Sequence, residues 1–542
     1  MLSPVRPAGF VSRGGILMLA ATVGASIAPL PASADRHDGR TAGHRRSYLT
    51  RVSRDELDTA KREVRGPSVS GSEASGRGVR QPVRLDGFEA ITGDKGITPA
   101  DPVGAAGISH VVAAVNVHYA VYDKATGDEV VGPNPMRSLF RKAPFPFDPK
   151  VVYDHYRGRF ILVFLTARFG GARPRSWINV VSMRENTIED PRTWCRRKLK
   201  GDPVRRHGNL FADYPGLGFD RERVYVTTNQ FTFTTESFRY AQILAIRKRG
   251  LYDCDTRVRK TVFARKRTRD PQGTQAFTIQ PAVTQTETGL SPPEFLVSFQ
   301  DTGCPGFSFG TCGRRLTVWR IRERRRGLRL SKRSVGVGPA VIAPFGEQKV
   351  VGPCPEPACL WDTGDLRLIN AFYDADRGRL YTAHSVRANL GTPSQVEAAI
   401  RWYEIDPAPL SAVSVPRHPV FGDPDTFAGW PTVGTDAAGN LFITYSRAAG
   451  LGPDAEFLSV YVATIAPGTE DAEPERIEEG KDTYRDPDNP GPQRWGDYNG
   501  ISRDPVDPSV MWSVNQVADD GNGMPGVTDV WQQWVHPLRA AS

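Results

Sequence analysis

Three observations predict an all-β chain. Gly (53) and Pro (44) are abundant across 542 residues, a load of turn formers that a helical bundle does not carry. Apolar residues alternate with period two in short runs such as "RFILVFL" and "RLYTAHSV", the spacing of strands. The runs also recur. "DPKVVYDHYRGRFILVFL", "DYPGLGFDRERVYVTTNQF", "LINAFYDADRGRLYTAHSV", "GWPTVGTDAAGNLFITYSR" and "DYNGISRDPVDPSVMWSVNQ" share one plan of strand, Asp/Gly turn and strand. "DPVGAAGISHVVAAVNVHY" and "QPAVTQTETGLSPPEFLVSF" keep the plan without the turn Asp.

Seven units of roughly 65 residues, each with three or four antiparallel strands, predict a seven-bladed β-propeller. The innermost strands are expected to begin near Asp101, Asp148, Asp213, Gln280, Leu368, Trp430 and Asp497. Third strands follow, such as "SWINVVSM", "AQILAIR", "RLTVWRIR", "AIRWYEID" and "LSVYVATI". The last unit ends on "DVWQQWVHPL" with no chain left for an outer strand. "QPVRLDGFEAI" (Gln81–Ile91) has strand character and is expected to pair with that last blade, closing the ring and covering its edge.

Residues 1–34 read as a signal peptide: Arg6 and Arg13, the apolar run Ile16–Leu30, and an A-x-A site before Asp35. Residues 35–80 read as a flexible basic leader and 81–538 as a single propeller domain. The expected location is extracellular, with no membrane span. Six cysteines suit an oxidising compartment. Cys304–Cys312 and Cys354–Cys359 are spaced as local loop staples, which leaves Cys195–Cys254 by elimination. No His or second Cys pair stands at zinc spacing, so no metal site is assigned.

The turn aspartates Asp154, Asp220, Asp374, Asp436 and Asp504 are explained by hairpin geometry. The column at the blade starts is richer. In a propeller these ends converge on one funnel, so Asp213, Tyr214, Arg367, Trp430, Arg494, Trp495, Asp497 and Tyr498 form the candidate rim. Carboxylates accept from hydroxyls and aromatic rings stack on sugar faces, so the expected ligand is a glycan or another polar molecule. No catalytic residue is assigned. No cofactor is assigned either, although calcium would suit the acidic turns "RDPDNPG" and "ADDGNG".

The formal charge is +10. Basic runs at Cys195–Arg206, Arg257–Arg269 and Arg320–Arg333 follow third strands and are expected on outer strands, where an anionic polymer would bind or where charge simply protects an edge. No nucleic-acid module and no G-x-S-x-G elbow occurs, and a monomer is expected.

The stretches "DPVGAAG", "YDKATG", "DYPGLGFD", "TGDLRLINAFY", "RWYEIDP" and "RWGDYNGI" resemble a group of exported bacterial β-propellers, loosely placed with the sialidase-like (BNR/Asp-box) propellers. The resemblance runs from Gly87 to Leu538. It implies an alternative function, a glycoside hydrolase or lyase acting in the funnel. Tyr214 or Tyr498 with Asp213 or Asp497, and Arg367 with Arg494, would then imitate the sialidase set. No S-x-D-x-G-x-x-W box accompanies it.

Overall fold

A computed structural model of the chain describes residues 81–93, 97–140, 144–169, 174–204, 210–300, 312–352, 354, 356–391, 396–450, 453–486, 489–521 and 530–541. The expected signal peptide and leader, Cys304, and parts of both acidic turns lie outside them.

Two short strands, β1 (Pro82–Arg84) and β2 (Phe88–Thr92), precede a series of antiparallel meanders. The first is β3 (Val103–Ala106), β4 (His110–Val115), β5 (His118–Asp123) and β6 (Glu129–Pro135). The next is β7 (Pro146–Asp154), β8 (Arg159–Arg168), β9 (Arg175–Arg184) and β10 (Cys195–Lys200). There follow β11 (Leu210–Phe219), β12 (Arg223–Thr232), β13 (Phe238–Arg247), the one-turn helix α1 (Lys248–Tyr252) and β14 (Lys260–Ala264). Then come β15 (Gln280–Gln285), β16 (Glu294–Gln300), β17 (Cys312–Arg324) and β18 (Gly327–Val341). The fifth set is β19 (Ala371–Asp374), β20 (Arg379–Ala388), β21 (Glu397–Asp406), β22 (Ser414–Arg417) and β23 (Val420–Phe421). The chain continues through β24 (Phe427–Thr435), β25 (Leu441–Ala449), β26 (Glu456–Ile465) and β27 (Glu473–Glu478). It ends on β28 (Gly500–Arg503), β29 (Val510–Asp519) and β30 (Val530–Ala540).

The first strand of each meander lies against the first strand of the next: β3 on β7, β7 on β11, β11 on β15, β15 on β19, β19 on β24, β24 on β28, and β28 on β3. This is a propeller-like order. β15 and β19 pair in parallel, Ala282–Gln285 facing Ala371–Asp374. β1 and β2 both pair with β30, through Val83↔Arg539 and Phe88↔Val535.

The strands are buried on both faces, because each meander is packed between two others. Val152, Ile161 and Val163 pack on Leu217, Val224 and Leu244 of the following meander. Phe442, Val460 and Val462 pack on Met511, Val517 and Leu538. The alternation in the sequence therefore separates two packed interfaces rather than core from water.

The turn aspartates do the work expected of them. Asp220 accepts the backbone N–H of Glu222 and Arg223, both at 2.7 Å, and Asp504 accepts from Val506 at 2.7 Å and Asp507 at 3.1 Å. Cys195–Cys254 and Cys354–Cys359 are bonded. Cys312 is also disulfide-bonded. Among the described residues no helix is long and apolar enough to cross a membrane.

One placement differs from expectation. Asp148, Tyr214 and Trp430 are not at strand starts but inside β7, β11 and β24, where the register slips between Phe147 and Lys150, Asp213 and Gly216, and Gly429 and Thr432. Each precedes a proline, which has no N–H to give the ladder, so the X-Pro pair becomes a β-bulge. The third basic run is also displaced: it begins within β17 and turns into β18, forming one hairpin.

Candidate functional site

Left-handed residues recur at the bulges and just ahead of β3. Asp101, Asp148, Tyr214 and Trp430 hold φ of 50°, 51°, 49° and 59°, the left-handed region that costs a non-glycine residue about 1–3 kcal/mol. Neighbouring meanders lock these backbones in place. The Asp148 N–H donates to Asn116 Oδ1 (2.8 Å), and Asn116 Nδ2 donates to Asp101 Oδ2 (2.8 Å). Asp101 Oδ1 accepts the Asp497 N–H (2.8 Å), and Asp148 Oδ2 accepts the Tyr214 N–H (2.9 Å). The Trp430 N–H donates to Ser385 Oγ (3.2 Å), and the Thr278 N–H, at a further left-handed residue, to Asn229 Oδ1 (2.9 Å).

These clamps were not anticipated from the sequence, yet a signal existed. Second strands carry a small polar residue at a matching position: "AAVN", "TTN", "LVS", "AHS", "TYS" and "SVN". Asn116, Asn229, Ser385 and Ser446 are members of that column.

The candidate rim residues divide into engaged and unengaged groups. Arg367 forms a bidentate pair with Asp365 (Nε–Oδ1 2.8 Å, Nη2–Oδ2 2.6 Å) and lies 4.2 Å from the Tyr214 ring centre. Arg494 pairs with Asp497 at 2.5 Å. The Tyr214 hydroxyl donates to the Asp497 carbonyl at 3.0 Å. Trp430 donates Nε1–H to the Asp362 carbonyl (2.7 Å) and Trp495 donates to Ser446 Oγ (2.9 Å). Both indoles are buried, Trp495 to 1% exposure with its ring edge-on to Tyr484, so neither offers an open face for stacking.

Three groups keep unused capacity. The Tyr498 hydroxyl is buried without a hydrogen-bond partner among the described residues. Lys150 Nζ sits 3.0 Å above the Tyr498 ring centre and makes no hydrogen bond or ion pair among the described residues. The partly buried Asp213 carboxylate likewise has no partner among the described residues.

Acidic groups outnumber basic ones here, with Asp101, Asp148, Asp213, Asp362, Asp365 and Asp497 around Lys150, Arg367 and Arg494. Burial, with the charges of Asp497 and Asp148, pushes Asp101 well above the usual carboxylate range. Burial, then Asp213 and Asp497, does the same to Asp148. Asp213 rises to about 6 by burial, with Arg367 opposing and Asp497 adding. Burial also acts on Asp497, but Arg494 and Arg367 outweigh it and hold this carboxyl low. Burial brings Lys150 down to about 7 against the pull of Asp101 and Asp148. Among the described residues no set of three His, Cys, Asp or Glu side chains is arranged to hold a metal ion.

No family model matches the chain, and no curated protein matches it. Solved structures do. The chain is similar to Trypanosoma rangeli sialidase, with 10% identity, 76% of this chain and 56% of the sialidase covered, and a TM-score of 0.35. It is similar to Penicillium chrysogenum α-L-arabinanase complexed with arabinobiose, with 9% identity, 83% and 98% covered, and a TM-score of 0.32. A protein of unknown function from Dyadobacter fermentans matches with 13% identity, 73% and 94% covered, and a TM-score of 0.32. The chain spans a little over half the length of the sialidase.

Proposed function

We propose that the chain is an exported, monomeric, seven-bladed β-propeller, one domain over 81–538, that binds a hydroxyl-rich ligand, a glycan, at the centre of its inner strands. The blade count is supported by the cyclic order of the first strands, and ring closure by the pairing of β1 and β2 with β30. Export is supported by the disulfides. No nucleic acid and no cofactor forms part of the reading.

One observation carries the choice of site. Tyr498 Oη, Lys150 Nζ and the Asp213 carboxylate lie in a strained, polar centre with hydrogen-bonding capacity unspent among the described residues. Buried polar groups are almost always satisfied, so a ligand or water completes them. A sugar hydroxyl both donates and accepts, which suits a carboxylate beside an ammonium and a phenol.

A second reading, glycoside hydrolysis or lysis, is favoured by the split between Asp213, raised to about 6, and Asp497, held low. Opposed carboxyls of this kind supply an acid and an ionised partner. A sialidase-type reaction is less suited: Arg367 and Arg494 are already paired with Asp365 and Asp497, and the Tyr214 hydroxyl is given to a carbonyl.

The test is a glycan screen on the mature chain followed by calorimetry. Lys150→Met, which removes one of the three unengaged groups, is expected to weaken binding about tenfold or more, the cost of a hydrogen bond to a charged group. Asp504→Ala, in the β28–β29 turn, is expected to lower Tm and spare affinity. Trp495→Ala is expected to act through stability, because the indole is core. Retention of no glycan, or equal affinity losses in Lys150→Met and Asp504→Ala, removes this site. Product release that Asp213→Asn abolishes while binding persists selects the hydrolytic reading.

A further inference from the structure

A second concavity lies at the other end of the strands from the bulges. It is a cleft of about 1040 Å³ between the β7–β10 and β11–β14 meanders. Its lining includes seven arginines and Lys248, against Glu222 and Asp253. Arg157 and Arg159 come from the β7–β8 turn, Arg184 from the end of β9, and Arg249, Arg257 and Arg259 from α1 and the loop after it. Only Arg257 and Arg259 belong to the basic runs visible in the sequence; folding brings in the rest.

Basic surfaces are usually neutralised by neighbouring acids, and this one is neutralised only in part. Arg247 pairs with Glu323 at 2.8 Å and Lys248 with the buried Asp154 at 2.7 Å. Among the described residues, Arg157, Arg159, Arg184, Arg249, Arg257 and Arg259 have no ion-pair partner. Asp253 is engaged by Thr256 Oγ1 (2.5 Å) and the Asp255 N–H (3.1 Å). Arg159 and Arg184 also stand directly opposite each other across β8 and β9, a like-charge pairing that destabilises a sheet.

The cleft is held rigidly. Cys195–Cys254 ties the loop after α1 to β10. Arg197 donates to the carbonyls of Gly250 (2.9 Å), Asp253 (2.6 Å) and Thr256 (2.9 Å). Tyr252 Oη donates to Asp154 at 2.5 Å. A self-repelling cluster on a braced frame is an anion site prepared in advance of its ligand.

We propose that this cleft binds an extended polyanion bearing tetrahedral oxyanions, phosphate or sulfate groups, independently of the centre. Arginine in place of lysine favours planar, two-point recognition of oxyanions. A tetrahedral oxyanion presents several oxygen edges, so two guanidinium groups can grip one group together. That matches the facing pair Arg159 and Arg184. A carboxylate offers one such edge to one arginine.

Fluorescence anisotropy on the mature chain tests this with four end-labelled polymers of matched charge: polyphosphate, dextran sulfate, polyglutamate and duplex DNA. Binding to polyphosphate alone identifies a phosphate polymer as the source of the oxyanion, and binding to dextran sulfate alone a sulfated glycan; either supports the site. Arg159→Ser with Arg184→Ser is expected to weaken binding at least about tenfold and to lower the salt slope by about 2. Tm should change little, since the relieved repulsion offsets the lost contact of Arg159 with the Tyr252 ring, 5.0 Å from its guanidinium carbon. Arg257→Ser with Arg259→Ser, both exposed, gives the same loss by an independent route. Arg325→Ser with Arg326→Ser on the β17–β18 hairpin changes charge equally and should leave affinity within about twofold. Equal losses in that control, polyglutamate binding as tight, duplex DNA binding tighter than either polymer, or no binding at all overturns the proposal.

Discussion

Asp213 and Asp497 share one acidic centre yet titrate in opposite directions. Arg494 is within 2.5 Å of Asp497, while Asp213 has only the more distant attractions of Arg367 and Arg494 to set against its burial. Asp213 moves from 3.8 to about 6, so between those values the folded chain binds more protons than the unfolded one. Stability therefore falls as pH rises through that window. Asp213→Asn removes the loss, and the variant is expected to exceed the native chain by about 1–2 kcal/mol at pH 7–8, discounted for partial exposure. At pH 4 the gap should close. Thermal melts at the two pH values check this, and an equal gap at both would show that Asp213 is not the group responsible.

At the scale of the element, the bulge is the recurring device. An X-Pro pair interrupts the ladder, the residue before it turns left-handed, and its side chain or N–H is tied to a neighbouring meander. Asp148 shows both parts, with φ of 51° and a hydrogen bond to the Tyr214 N–H. Asp148→Ala loses the bond and keeps the strain. Asp148→Gly loses the bond and relieves the strain, so it should be the more stable variant by about 1 kcal/mol. Denaturant titration of the pair gives the order, and the reverse order would mean that the backbone here is unstrained. The disulfides act on the chain between elements. Cys195–Cys254 spans 59 residues and Cys354–Cys359 spans 5. From loop-closure entropy, replacing the first pair by serine should cost about 4 kcal/mol and the second about 2 kcal/mol. Equal costs in denaturant melts would contradict that account.

For the molecule as a whole, the two ends of the chain matter most. β1 and β2 cover β30, and Arg84 adds a 3.1 Å ion pair to Glu478. Lys124, in the turn after β5, reaches Asp504 at 2.9 Å, and Gln533 Nε2 donates to the Ala114 carbonyl at 3.0 Å, so the last meander is also bonded to the first. Deleting residues 81–92 should lower Tm and leave β30 as an open edge that promotes association. Calorimetry and light scattering measure both effects. A deletion variant with unchanged Tm and no association would mean that these strands do not secure the seam.

Much of this was legible from residue order. Period-two alternation, the recurring turn aspartates and the X-Pro column located the first strands to within three residues, as with β15 at Gln280 and β28 at Gly500. Such signals are local: turn chemistry and strand pattern act over a few neighbours in sequence. The convergence of Asp213, Arg367 and Asp497 could be expected from a ring, but their division into paired and unpaired groups could not. It depends on which side chains, far apart in sequence, meet within about 3 Å. The same holds for the burial of Trp430 and Trp495, which read as exposed stacking faces in the sequence and are core in the fold. The arginine cleft is the clearest case. Arg159, Arg184 and Arg257 are scattered in sequence, and only the packing of two meanders, braced by Cys195–Cys254, sums their charges into one site.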